Sequence, residues 1–265
     1  MYSKSAKAIL VVSFGTSYEK TREASIEAIE NHIRDVFPDY RVYRAWTSRM
    51  IIRKLKTRDH IHVDTISEAL DRILADGITQ IIVQPTHMIN GLENEAMIKE
   101  ILLKKDAFSS VHFGAPLLST DSDLNTVIQI LTEAFAPLEK NRMVVFMGHG
   151  TAHHADFVYG ALNFRFRDMG YDQFLIGTVE GYPDMNSILR SLRKSSPQKI
   201  LLAPFMIVAG DHANNDMAGE GKDSWMNILK KEGYQVDVVL KGLGEYPQIQ
   251  EMFAEHIRSA IQVTP

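Results

Sequence analysis

No cysteine occurs among the 265 residues. Disulfides, thiolate metal sites and cysteine nucleophiles are therefore excluded, and any metal ligand must come from His, Asp or Glu. No apolar run approaches the ~20 residues of a membrane span, so no membrane partner is expected. Positive charge is not in excess either, the formal net charge being -4. A general nucleic-acid binder needs a basic surface to neutralise phosphate, so nucleic acid is not an expected partner and any anionic ligand must meet a local basic patch. Several catalytic signatures are missing as well: there is no Gly-x-x-x-x-Gly-Lys loop, no Gly-x-Ser-x-Gly elbow and no His-Glu-x-x-His helix. The stretch from Met1 to Lys7 is short and polar, without a secretory apolar region. The expected compartment is the cytoplasm.

What is present is an ordinary globular balance, 45% hydrophobic and 23% charged, enough apolar surface for a proper core. Short runs rich in Val, Ile and Leu alternate with longer amphipathic stretches, the pattern of parallel strands joined by crossover helices. The expected class is α/β. Strands are predicted over 8–14, 41–46, 80–85 and 111–114, then over 143–147, 174–179, 200–205 and 236–240, with helices such as 24–36 and 66–75 between them. The turn and cap chemistry of Ser119, Thr120, Asp121, Ser122 and Asp123 marks a junction. It divides the chain into an N-terminal half, 1–120, and a C-terminal half, 121–265.

The halves look like a diverged repeat. Val12-Ser13-Phe14-Gly15-Thr16-Ser17 resembles Phe146-Met147-Gly148-His149-Gly150-Thr151-Ala152, and the Asn90-Gly91-Leu92-Glu93 loop parallels Ala209-Gly210-Asp211-His212. On that reading Glu93 and His212 occupy equivalent strand-end loops, and two parallel four-stranded domains face each other across a cleft. The same likeness also arises when two halves share only a common architecture.

Gly148-His149-Gly150 follows directly on an apolar strand, and strand ends of parallel sheets are where such folds bind ligands. Alone it reads more readily as a tight turn with an incidental histidine. His212 stands at a second strand end, in an Asx-rich loop where Asp211, Asn214 and Asn215 can satisfy backbone groups. Two glycine-flanked histidines at strand ends point further, because neutral imidazole is the commonest ligand for borderline divalent metals. Glu93 and Glu180 supply carboxylates at matching places. His153 and His154 read as the start of a helix, and His87 as an intermediate case. Arg49, Arg53, Lys54, Lys56 and Arg58 form a basic stretch, either a solvated helix face or a clamp for substrate carboxylates.

Several blocks then occur in one order: Leu10-Val11-Val12-Ser13-Phe14-Gly15-Thr16-Ser17, Thr47-Ser48-Arg49-Met50-Ile51-Ile52-Arg53-Lys54-Leu55, Ile89-Asn90-Gly91, Val145-Phe146-Met147-Gly148-His149-Gly150, Val208-Ala209-Gly210-Asp211-His212-Ala213-Asn214-Asn215-Asp216-Met217-Ala218, Asp223-Ser224-Trp225 and Gly242-Leu243-Gly244-Glu245. Together they resemble the anaerobic sirohydrochlorin cobaltochelatases, class II tetrapyrrole chelatases, over nearly the whole chain. The resemblance implies two similar Rossmann-like α/β domains around a cleft and an ATP-independent insertion of Co2+ into sirohydrochlorin during cobalamin biosynthesis, with no nucleotide or redox cofactor. It implies that His149 and His212 match the two active-site histidines, Glu93 an acidic residue of the Asn-Gly loop, and Glu180 a further metal ligand. Leu92 departs from the pattern, since a relative carries an acidic residue there. On this reading His149 and His212 hold the metal with Glu180, Glu93 accepts or relays protons, Arg49 and Arg53 bind carboxylates, and Met88 covers the macrocycle face. Rival readings are an iron or nickel chelatase of the same fold and a non-catalytic tetrapyrrole or metal carrier. A homo-oligomer is compatible with all of them.

Overall fold

The computed structural model describes residues 7–262; the polar stretch ahead of Lys7 lies outside the described residues. The chain forms two compact units. One takes the residues up to Ser119 together with those from Gly244 onward, and the other is Thr120–Leu243.

In the first unit β1 (Lys7–Ser13), β2 (Tyr40–Trp46), β3 (Gln80–Pro85) and β4 (Ser110–Phe113) form a parallel sheet in the order β2-β1-β3-β4. From Ala8 to Val12 every residue of β1 is fully buried, which is why this strand reads as a continuous apolar run rather than an alternating one. Its helices are α1 (Ala28–Val36), α2 (Arg49–Arg58), α3 (Ile66–Ala75) and α4 (Leu92–Leu102). Ser48 caps α2 by accepting the Ile51 N–H, and Thr65 with Glu68 forms a capping box on α3, fixing where each helix leaves its strand. Ala8, Leu10 and Val12 pack with Ile66, Leu70 and Ile73 of α3 and with Met97 and Ile101 of α4, each large side chain contributing roughly 1.5–3 kcal/mol by its burial. The sequence pattern makes 24–36 one helix; the structure divides it into a π-helical turn, Arg22–Glu27, and α1.

The second unit repeats this plan. After α5 (Asp121–Phe135), strands β5 (Arg142–Gly148), β6 (Phe174–Thr178), β7 (Lys199–Phe205) and β8 (Gln235–Val238) pair in parallel in the order β6-β5-β7-β8. Helices α6 (Phe157–Asp168), α7 (Met185–Ser195) and α8 (Trp225–Lys231) join them. An aromatic cluster fills one face, where Phe166 stacks on Phe174 at 5.4 Å and Phe146 meets Phe205 at 6.0 Å. On the other face Met143, Val145 and Met147 pack with Ile188, Leu192 and Trp225. Connections from the adjacent strands β5 and β7 leave in opposite directions, so a ligand crevice opens at their carboxyl ends.

All eight strand positions agree with the sequence pattern to within two residues. The extent of the second half does not. The pattern assigns 121–265 to one half, whereas the segment from Gly244 onward, with α9 (Pro247–Gln262), belongs to the first unit. The physical reason is an apolar stripe: Ile249, Met252, Phe253, His256, Ile257 and Ala260 are buried at helical spacing. That stripe packs on α1, β3 and β4, and two polar contacts fix it: Glu251 bonds His32 at 2.6 Å and the His256 Nδ1–H donates to the Ala115 carbonyl at 3.0 Å. No helix of the described residues is long and apolar enough to cross a membrane.

Candidate metal centre

Strand β5 ends at Gly148 and delivers His149 to the crevice. Gly150 has φ +80, and a Cβ there would lie 2.4 Å from the Gly181 nitrogen. Only glycine allows this turn and lets the loop after β6 come so close. The His149 carbonyl accepts the N–H groups of Val179 at 3.1 Å and Glu180 at 2.8 Å, so the backbones of these two site residues are joined. His212, beyond β7, caps a π-helical turn, Ala213–Met217, whose end residues Ala213 and Met217 are buried. Asn214 steadies the approach by donating to the carbonyls of Ala209 and Gly210 at 3.1 and 2.7 Å.

These three loops converge. The His149 and His212 rings are 4.6 Å apart and perpendicular at 89°, and His149 Nδ1 is 3.8 Å from a Glu180 carboxylate oxygen. One donor atom from each of His149, Glu180 and His212 falls within 4.8 Å of the others. The tautomers follow from the acceptors. His149 Nδ1–H donates to the Gly150 carbonyl at 2.9 Å and His212 Nδ1–H to the Asp216 carboxylate at 2.6 Å. Each neutral ring then keeps its lone pair on Nε2, free for a cation, and Asp216 fixes the tautomer and orientation of its histidine. Two imidazoles and one carboxylate suit cobalt, nickel, iron or zinc and leave coordination positions open.

A second cluster, His62, Asp64 and Glu68, also brings three donors together. Its valences are taken: Asp64 binds Arg72 and His62 at 2.9 Å each, and Glu68 accepts the Thr65 N–H and hydroxyl at 2.8 and 2.9 Å. The strand-end trio is the better cation site.

The remaining candidates belong to the first unit. Glu93 stands exposed in the first turn of α4, its carboxylate unpaired among the described residues, while Met88 is half-buried beyond β3. Arg49 and Arg53 are exposed on α2, and their guanidinium groups pair with nothing among the described residues. Arg58 of the same basic stretch is instead held by Asp59 and the Ser17 carbonyl, all at 2.7 Å. His87 is buried at the end of β3 and outside the trio. His153 and His154 stand at a helix start, His153 capping the 3-10 turn His154–Asp156 that leads into α6, its Nδ1 accepting the Ala155 N–H at 3.2 Å. Two acidic residues escape the sequence reading: Asp216, visible in principle as the residue one helical turn beyond His212, and Asp156, which has no local signature.

Two parallel α/β units, one carrying a two-imidazole, one-carboxylate donor set at its strand ends, define an α/β protein equipped to hold a borderline divalent cation. Residues 7–262 match the model of a family described as cobalt chelatase (CbiK). The chain belongs to that family. It is 40% identical to the sirohydrochlorin cobaltochelatase of Salmonella typhimurium over 257 residues, 97% of each protein. Against the sirohydrochlorin cobaltochelatase CbiKC of Nitratidesulfovibrio vulgaris the identity is 30%, over 96% of this chain and 90% of that protein. The fold is shared with SirB from Bacillus subtilis, solved with Fe3+, at a TM-score of 0.67 and 14% identity, over 97% of this chain and 96% of that one.

Proposed function

We propose that this protein is a cytoplasmic, ATP-independent chelatase that inserts Co2+ into sirohydrochlorin during anaerobic cobalamin synthesis, an activity with which a homo-oligomer is compatible. The two relatives above carry the name sirohydrochlorin cobaltochelatase and match nearly end to end. The observation that carries the reading is the convergence of His149, Glu180 and His212 donors within 4.8 Å. Insertion exchanges a solvated dication for two pyrrole protons. Nε2 of His149 and of His212, with the Glu180 carboxylate, replaces part of the cobalt hydration shell. Three such ligands bind firmly enough to collect the ion and leave positions for macrocycle nitrogens to displace them. Both protons must then leave the macrocycle, and Glu93, an unpaired carboxylate at a helix start, is the group we assign to accept them one at a time and relay each to solvent. Arg49 and Arg53 hold substrate carboxylates as guanidinium forks. Met88 lies against the apolar ring face.

The same donors also accept nickel and iron, so the test is a multiple-turnover insertion assay with Co2+, Ni2+ and Fe2+ in competition. Cobalt insertion is expected to dominate. In folded His149→Ala and His212→Ala it should fall by more than the roughly 10- to 100-fold typical when only an outer partner of a metal ligand is lost. Near-normal turnover in either variant removes that histidine from the site, and stoichiometric binding without turnover in the wild type makes the protein a carrier.

A further inference from the structure

Asp156 contacts neither candidate histidine, yet its carboxylate ties two of the metal loops together. It is 9% exposed. One oxygen accepts the Thr151 N–H at 2.9 Å and the other accepts the Tyr182 N–H at 2.8 Å. Thr151 lies two residues beyond His149, and Tyr182 two beyond Glu180. The position immediately before α6 is where an aspartate ordinarily caps a helix, but the Asp156 side chain makes no cap hydrogen bond. No Lys or Arg pairs with it among the described residues. A buried carboxylate without a counter-charge is costly, and a position that only ended a loop would be served by a neutral residue. One turn further on, the Tyr159 ring lies against Gly148, on the other side of His149 from Thr151. The start of α6 thus braces the His149 loop on both sides of the imidazole, and Asp156 alone extends the brace to the Glu180 loop.

We infer that Asp156 is a positioning residue for metal uptake, holding His149 and Glu180 at the separation at which one cation meets both. This rests on the assignment of His149, Glu180 and His212 as cobalt ligands. His212 arrives on a different loop with its own partner, Asp216. Loss of the clamp therefore loosens two of the three ligands and leaves the third in place. Cobalt affinity falls, while recognition of the tetrapyrrole, assigned to residues elsewhere, does not.

The test is titration of Co2+ into the purified full chain, followed by the visible ligand-field absorption of the bound ion. Asp156→Asn keeps the volume and one acceptor oxygen but turns an NH2 toward one of the two amides, so one bond is replaced by a donor facing a donor. Cobalt should bind about 10- to 100-fold more weakly, its absorption bands should shift, and the KM for sirohydrochlorin should not change. Gly181→Ala approaches from the other side, since the added Cβ would lie 2.2 Å from the Asp156 carboxylate, and should weaken cobalt in the same direction. It decides the question if Asp156→Asn does not fold. In a Glu180→Gln background the effect of Asp156→Asn should shrink, because a residue acting through a ligand is coupled to it. Wild-type cobalt affinity and spectrum in folded Asp156→Asn overturn the proposal, as does an undiminished effect in the Glu180→Gln background. Failure of the underlying assignment looks different: His149→Ala would then bind cobalt like the wild type.

Discussion

His87 shows what a single buried imidazole does to this protein. Burial pushes its pKa down to about 4, while the hydrogen bond to Asn94 pulls the other way. Asn94 donates its amide N–H to Asn90 at 2.7 Å, so its oxygen faces His87 Nδ1 at 3.4 Å and that nitrogen carries the proton. Nε2 is left with a bare lone pair and no partner among the described residues. In the unfolded chain the same ring titrates near ~6.5. Between these two values the unfolded state binds more protons than the native one, so stability rises with pH across the window and is lost as pH falls through it. The ring contributes about 3 kcal/mol to the whole fall. Urea unfolding at pH 7 and pH 4.5 should therefore show a smaller loss in His87→Asn, which keeps a donor for Asn94 and does not titrate. A loss equal to that of the wild type would place the acid-sensitive group elsewhere. At this scale His149, Glu180 and His212 are legible in the sequence because each follows closely on an apolar strand run and each has a glycine within two residues. Asp156 is not, because its partners are peptide N–H groups five residues before it and twenty-six after it, and a peptide N–H leaves no mark on the sequence.

Among the elements, the strands are legible and one helix is misplaced, for the same reason. A central parallel strand is buried on both faces, so its apolar run is unbroken and its ends are sharp; β3 and β7 read almost residue for residue. An amphipathic helix reveals that it has a partner but not which one. The apolar stripe of α9 would suit either sheet, and only the packing shows that it returns to α1, β3 and β4. Phe253, fully buried in α9, gives a measurement that separates the two outcomes. Phe253→Ala should cost about 3–5 kcal/mol and weaken the first unit. The two tryptophans divide between the units, Trp46 in the first and Trp225 in the second, and both are buried. With Trp225 replaced by Phe, the remaining fluorescence should report an earlier urea transition in Phe253→Ala; with Trp46 replaced instead, the transition should hold its midpoint. A shift seen by Trp225 alone would return α9 to the second unit.

On the scale of the whole molecule the functional groups are divided by unit. His149, Glu180 and His212 all lie in Thr120–Leu243, while Arg49, Arg53, Met88 and Glu93 lie in the first unit. On the proposed assignment metal binding is a property of the second unit, whereas insertion also draws on the roles proposed for Arg49, Arg53 and Glu93 of the first. The second unit has its own four-stranded sheet and core, and its sequence is continuous. A fragment spanning Thr120–Leu243 is therefore expected to fold, as far-ultraviolet circular dichroism and Trp225 fluorescence would report. It should bind Co2+ within about tenfold of the intact chain, a difference of about 1.4 kcal/mol, and should insert none into sirohydrochlorin at any metal concentration. His212→Ala in the fragment should abolish the binding. A folded fragment that binds cobalt no better than its own His212→Ala version would overturn the reading of the trio as a self-sufficient cobalt site.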